Sequence, residues 1–356
     1  MNCCVSCFSD QGLKSRIEAQ SHKKGNRDFC ESRNINIISC EELSDLFEQL
    51  FELYENAPKA EKSLKMNKPF LLHEHLKTFW PTLFNEQLLK VKDIKHLVNQ
   101  IGRESAIYSQ ALFEEPVELK LFLNGNHDHD DNLELQWDSF AEDIKSNNRF
   151  FINEKLDLEV LESTLLRFAK TYPADHVFYR ARISEALLAK EDMGKPPAKL
   201  TTPGRANPVG IPYLYVSESE DTTLYETRIS LHESISIGQF KLNKPLQVIS
   251  LKNIRHYGPF GIQDLGFDLE EFIRYRPYLL KLEDELSKPV RKQDVQLDYL
   301  PTQFLCEYIK SKGFDAIEYR SAMNPTGYNL AIFNDQYVEC VDVKFYNITN
   351  LKYRYE

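Results

Sequence analysis

At Tyr172-Pro173 the hydrophobic pattern of this chain changes period, and that change limits the architectures open to it. Before it, apolar residues recur at helical spacing. EELSDLFEQLFELY places Leu43, Leu46, Phe47, Leu50 and Phe51 three and four residues apart, which is one face of a helix. EQLLKVKDIKHLVNQIG and NLELQWDSFAEDIKSNNRFF repeat the pattern, and LEVLESTLLRFAKTY reads as a fourth helix. After it come short runs rich in β-branched and aromatic residues: HVFYRARIS, IPYLYVS, SISIGQFKL, LQVISL, FDAIEY and NLAIFN. Helical segments around TTLYETRIS, LEEFIRYRPYLLKLEDELS and PTQFLCEYIKSKG separate these runs. The expected class is α+β. A cysteine-rich segment occupies residues 1–40, a helical bundle residues 41–172, and a mixed sheet-and-helix domain residues 173–356.

A chain of 356 residues exceeds one ordinary core and suggests two or three domains. Its 42% apolar content is that of a globular protein, and its net charge of −10 argues against broad nucleic-acid binding. No apolar run reaches 18 residues, so no membrane span is expected, and MNCCVSCFSD lacks the plan of a signal peptide. Seven cysteines, five of them in the first forty residues, do not form the framework of a secreted disulfide protein. A reducing cytoplasm is the expected compartment.

Five stretches of the C-terminal domain stand out. In HVFYRARIS a strand puts Phe178, Arg180 and Arg182 on one face, and two arginines there call for anionic partners, either structural carboxylates or a ligand. In GRANPVG, glycine and proline set a stiff loop that can present Arg205 and Asn207 or simply lead into a strand. Tyr213 and Tyr215 share a strand face in IPYLYVS, a spacing as fit for a core as for a ring platform. SESEDTTLYETR starts a helix capped by Ser219 or Asp221, with Glu226 one to two turns in. Finally, KGFDAIEYRSAMNPTGYNLAIFN ends a helix at Gly313, then gives a strand, a loop with Ser321, and a strand starting near Asn329.

FYRAR, then GRANPVGIPYLYVS with LYETR, then GFDAIEYRS with NLAIFN, resembles the RES domain, over roughly residues 173 to 345. The region before residue 173 resembles the helical, HEPN-like part that precedes the domain in one RES subfamily. The resemblance implies an ADP-ribosyltransferase-like fold and an NAD-consuming activity, often that of the toxin of a toxin–antitoxin pair. Carried over by motif, the catalytic set is Arg180, Tyr215, Glu226 and Ser321, with Arg182, Arg205, Asn207, Tyr213 and Asn329 contacting NAD. The implied reaction is cleavage of the nicotinamide–ribose bond by water or phosphate. Transfer of ADP-ribose to a protein is the rival outcome, and a catalytically silent binding module the other. An antitoxin or trigger protein is the implied partner, and a homo-oligomer is compatible with the sequence.

Cys4-x-x-Cys7 followed by Cys30 supplies three of the four ligands that structural zinc requires, with Cys3, His22 or Cys40 as conceivable replacements. A degenerate remnant is the expectation. The HDHDD run at residues 127–131 reads as a solvated loop, and His73 and His75, two apart on a helix, do not share a face. Nothing in residues 41–171 matches the R-x4-6-H motif of HEPN nucleases well, so that region reads as a scaffold or sensor.

Overall fold

The structure is a computed structural model that describes residues 1–21, 23–25, 28–30, 35–57, 70–123, 132–152, 156–288 and 295–350. The HDHDD run and His22 lie outside the described residues. Two compact units divide the chain: Met1–Asp128 with Arg255–Arg276, and His129–Ile254 with Pro277–Glu356. The α+β class expected from the periodicities is the class observed.

The first unit carries helices Gln11–Gln20, Ser44–Glu52, Leu72–Phe79 and Val91–Gly102. Phe47, Leu50 and Phe51 are buried as their spacing requires. The rings of Phe8, Phe47, Phe84 and Phe260 form one aromatic core. Two small antiparallel sheets went unseen in the sequence because their strands are only two to five residues long. Residues 255–276 join this unit through Asp10. Its Oδ1 caps the Gln11–Gln20 helix by accepting from Leu13 N at 3.1 Å. Its Oδ2 accepts from Phe260 N at 3.0 Å, at the start of the Pro259–Asp264 helix. His73 and His75 are both buried here, and burial pulls His75 down to about 4, which keeps it neutral at physiological pH.

The second unit is built on an eight-stranded sheet in the order 338–347, 234–242, 177–183, 214–217, 328–332, 316–320, 246–250, 169–172. All neighbours are antiparallel except 246–250 and 316–320. One face packs Phe178, Leu214, Val216, Phe240, Leu242, Leu246, Val248, Leu330 and Ile332, alternate residues of their strands, into a core. Helix Leu133–Ser146 lies on helix Leu300–Ser311, with Phe140 against Phe304 at 4.6 Å. Tyr308 donates to Leu158 O at 2.8 Å, which ties in helix Leu158–Leu166.

Six strands were legible as alternation, and two were not. The segment read as a fourth helix stops at Leu166, and Ala169–Tyr172 instead pairs with Leu246–Ile249, where ladder bonds override helical pattern. This places helices 133–146 and 158–166 in the same unit as the sheet, so the compact units do not part at Tyr172. Val338–Asn347 is an edge strand whose half-exposed residues give only a faint alternation.

Glu318 is fully buried (0% exposed) and bonds several strands together. It accepts from Ser250 Oγ at 2.5 Å and from Tyr172 OH, and pairs with Lys170 at 2.7 Å and Lys252 at 3.0 Å. Burial alone would raise its carboxyl; Lys170, Ser250 and Tyr172 outweigh burial and hold it below the usual carboxylate value. Glu318→Ala should therefore destabilise by about 3–5 kcal/mol, as expected when one partner of a buried ion pair is removed. Urea unfolding at neutral pH reads that loss. Because the folded value lies below the unfolded one, this stabilisation is full above the unfolded value and fades as pH falls through the folded value. The difference between wild type and variant should shrink on acidification.

Candidate active site

A carboxylate, a serine and an asparagine from three elements meet at Glu226. Helix Glu220–Thr227 starts where Ser219 Oγ accepts from Thr222 N at 3.2 Å, and it ends at Arg228, whose φ of 51° closes the last turn. Glu226, exposed on that last turn, receives two hydrogen bonds on one oxygen. Ser321 Oγ donates to Oε1 at 2.5 Å and Asn329 Nδ2 at 2.7 Å. Neither bond uses Oε2. Asn329 is fixed in turn by Ser217 Oγ, which donates to its Oδ1 at 2.7 Å across the 214–217/328–332 ladder.

Ser321 is held by its own loop. Its Oγ accepts from Met323 N at 3.1 Å and Asn324 N at 3.0 Å, and its N donates to Gly327 O at 2.8 Å. Asn324 Nδ2 donates to Thr222 Oγ1 at 3.0 Å, which ties the loop to the helix. Gly327 has to be glycine there, since a Cβ would sit 2.3 Å from Thr222 Oγ1. Ser321 is 5% exposed and Asn329 6%, so the exposed carboxylate rests on a buried polar base. Ser217, Thr222, Asn324 and Gly327 were not singled out from sequence. Only a serine closing IPYLYVS and an Asn-Pro-Thr-Gly turn announce them.

The arginines form a second group. Strand register pairs Arg180 with Gly238 and Arg182 with Ser236, on the face of Phe178, while Asn329 and Ser217 stand on the opposite face with Tyr179. Arg180 Nη1 donates to Tyr215 O at 3.0 Å, and Arg182 Nη2 to Gly194 O at 2.5 Å. The Nε of each is buried with no protein acceptor, and neither makes an ion pair among the described residues. Burial, with the neighbouring Arg182 charge, lowers Arg180 to about 10, which leaves it cationic at neutral pH. The Glu226 helix links the two groups. Strands 177–183 and 214–217 pair at a single position, Tyr179 with Ser217. Beyond it, Thr223 Oγ1 takes the Ala181 N–H at 2.8 Å, as a further strand residue otherwise would. Thr227, next to Glu226, lines an open depression with Ala181, Arg182, Ile183, Leu188 and Asp192.

The remaining candidates are occupied within the fold. Arg205 Nη1 donates to Glu285 O at 3.2 Å and Lys288 O at 2.7 Å, capping the C-terminal end of helix Leu269–Ser287. Asn207, 3% exposed, donates to Thr202 O and Pro208 O and accepts the Tyr215 hydroxyl at 2.7 Å. Tyr215 OH also accepts from Ala206 N at 3.2 Å, and burial pushes its phenol well up. Gly204 allows this, because a Cβ would lie 2.6 Å from that hydroxyl. Tyr213 is a core residue, 1% exposed, with its ring 4.9 Å from Phe333 and its hydroxyl donating to Glu307 at 3.2 Å. The GRANPVG loop thus reads as a strut. Tyr215→Phe should cost about 1–3 kcal/mol in urea unfolding by stranding Asn207 Oδ1 and Ala206 N.

The cysteines also fall into groups. Cys4, Cys7 and Cys30 bring their sulfurs together, whereas the neighbour of Cys3 is Cys40. No helix among the described residues is long and apolar enough to cross a membrane.

The fold and site define an α+β domain in which a buttressed carboxylate and two half-buried arginines on a mixed sheet are linked by one helix. The family model for the RES domain matches residues 177–355, half of the chain, and the chain belongs to that family. No curated protein matches it. Among solved structures, it is similar to a chain of the MbcT-MbcA toxin-antitoxin complex of M. tuberculosis, at 12% identity and a TM-score of 0.29. That match covers 50% of this chain and 87% of the other.

Proposed function

We propose that the protein consumes NAD, cleaving the nicotinamide–ribose bond to release nicotinamide and an ADP-ribose product. The observation that carries this reading is the Glu226 carboxylate, immobilised through Oε1 by Ser321 and Asn329, with Oε2 left for a ligand. The C–N bond breaks with its electron pair passing to the ring nitrogen, which neutralises the pyridinium. Positive charge builds on the ribose, where a fixed carboxylate is worth most. Water or phosphate then bonds to the ribose carbon, and water sheds its proton to solvent. Arg180 and Arg182 hold the pyrophosphate, for which guanidinium is suited. Ser321, already donating to Glu226, acts by orienting the carboxylate rather than by holding nicotinamide. The same reading places the protein in the cytoplasm, as a toxin or defence enzyme with an antitoxin or trigger protein as partner. Its N-terminal region is read as a HEPN-like scaffold or sensor.

Incubation of the purified full chain with NAD tests the reading. NAD loss with free ADP-ribose marks a hydrolase, and loss that requires phosphate marks a phosphorylase. Label retained on protein marks a transferase; intact NAD sinks the proposal. Glu226→Gln keeps volume while removing charge, so turnover should fall about a hundredfold or more, with unchanged circular dichroism. Near wild-type turnover would take Glu226 out of the mechanism. Arg180→Ala should raise the NAD concentration for half-maximal rate more than Arg182→Ala. The reverse order would move the anion-binding role two residues along the strand.

A further inference from the structure

We propose that Cys4, Cys7 and Cys30 form a three-thiolate site for a thiophilic divalent cation, zinc by its chemistry, in the first unit. The three sulfurs close a triangle with sides of 3.8 Å (Cys4–Cys7), 3.6 Å (Cys4–Cys30) and 3.4 Å (Cys7–Cys30). Four sulfurs set tetrahedrally at the Zn–S length of about 2.3 Å lie about 3.8 Å apart, so the triangle is close to one face of such a site. A disulfide needs its sulfurs about 2.05 Å apart, and none of the three pairs approaches that.

The backbone fixes the triangle. Cys4 ends strand Asn2–Cys4, which pairs with Ile35–Ser39, and residues Val5–Cys7 turn in a single 3-10 step that swings Cys7 beside it. Asn85 fixes the turn, its N donating to Cys7 O at 3.0 Å and its Nδ2 to Ser6 O at 3.0 Å. The Cys30 arm is tied to the same strand, with Asp28 N donating to Asn2 O at 3.1 Å and Asn2 N to Asp28 Oδ2 at 2.7 Å. Phe29 is buried against His96 with ring centres 5.3 Å apart. Cys4 and Cys7 are buried and Cys30 is half-buried, so the triangle's approach to solvent lies on the Cys30 side.

The sequence argued for a degenerate remnant because one of four ligands is missing. The geometry nonetheless brings the three sulfurs together. Among the described residues no fourth His, Cys, Asp or Glu joins the group, and Cys3 is engaged with Cys40. Three thiols that bind one divalent cation as thiolates, their protons passing to solvent, give a site of charge −1.

The test is independent of the NAD reading, because it measures metal rather than turnover. The full chain, expressed with added zinc and dialysed against a weak chelator, should hold about one equivalent by elemental analysis. Cys4→Ser, Cys7→Ser and Cys30→Ser should each lose most of it, while Cys340→Ser keeps it. Reduced, metal-free protein titrated with Co(II) should develop a thiolate-to-cobalt charge-transfer band. Should a serine variant fail to fold, wild-type protein still decides. Bound zinc should shield these three cysteines from alkylation, as mapped by mass spectrometry. Less than about a tenth of an equivalent, with no cobalt band, overturns the proposal. Metal retained undiminished by folded single variants overturns it as well.

Discussion

A carboxylate with no access to solvent organises the sheet on which the rest of the second unit depends. Glu318 sits mid-strand among apolar neighbours, where an unpaired charge would cost several kcal/mol. Its partners come from different segments: Lys170 and Tyr172 from one strand, Ser250 from another, and Lys252 from the turn that follows. Lys252 also reaches Glu218 at 3.3 Å, and Tyr172 OH lies 2.7 Å from the same carboxylate. Each of these groups needs the others to be in place, so the network favours one register for the strands at this end of the sheet.

That register carries to the site. Glu318 lies two residues before the end of strand Ala316–Arg320, and the next residue is Ser321. The neighbouring strand, paired Glu318 with Leu330, brings Asn329 alongside. Ser217, on the strand beyond, locks Asn329. The position of Glu226 therefore follows from strand register through two buried side chains, with the Gly327 turn closing the Ser321 loop against Thr222. Sites carried on sheet elements in this way are held more tightly than sites carried by loops alone.

The strands that carry the site were legible because each is a short run with β-branched and aromatic residues, bounded by turn residues such as Gly313 before Ala316–Arg320. Glu226 and Ser321 were legible only through motif order, since a lone glutamate on a helix and a lone serine in a loop carry no signal of their own. Arg205, Asn207 and Tyr213 show where that reasoning stops. Their residue types suit a ligand, yet what each touches depends on segments 80 to 120 residues away, such as Glu285, Gln303 and Phe333. The Ala169–Tyr172 strand was lost for the same reason, its identity coming from its partner rather than from its own pattern. Asp10 likewise serves a helix 250 residues further on.

The arginine pair separates the two explanations that the sequence left open. A structural role predicts carboxylates against the guanidiniums, in the manner of Arg320 with Asp284 at 3.1 Å. Arg180 and Arg182 instead meet backbone carbonyls, which orient a guanidinium without neutralising it. Two like charges on one strand face, each with a buried Nε lacking a protein acceptor, carry a desolvation cost. Such a cost is tolerated where a ligand's charge offsets it on binding. A pyrophosphate carries the required sign and the paired oxygens that guanidinium prefers. The same groups that make this face a poor core therefore support its reading as an anion seat. On that reading, the arginines serve the phosphates and Glu226 the ribose, with the Glu226 helix joining the two groups through Thr223 and Ala181.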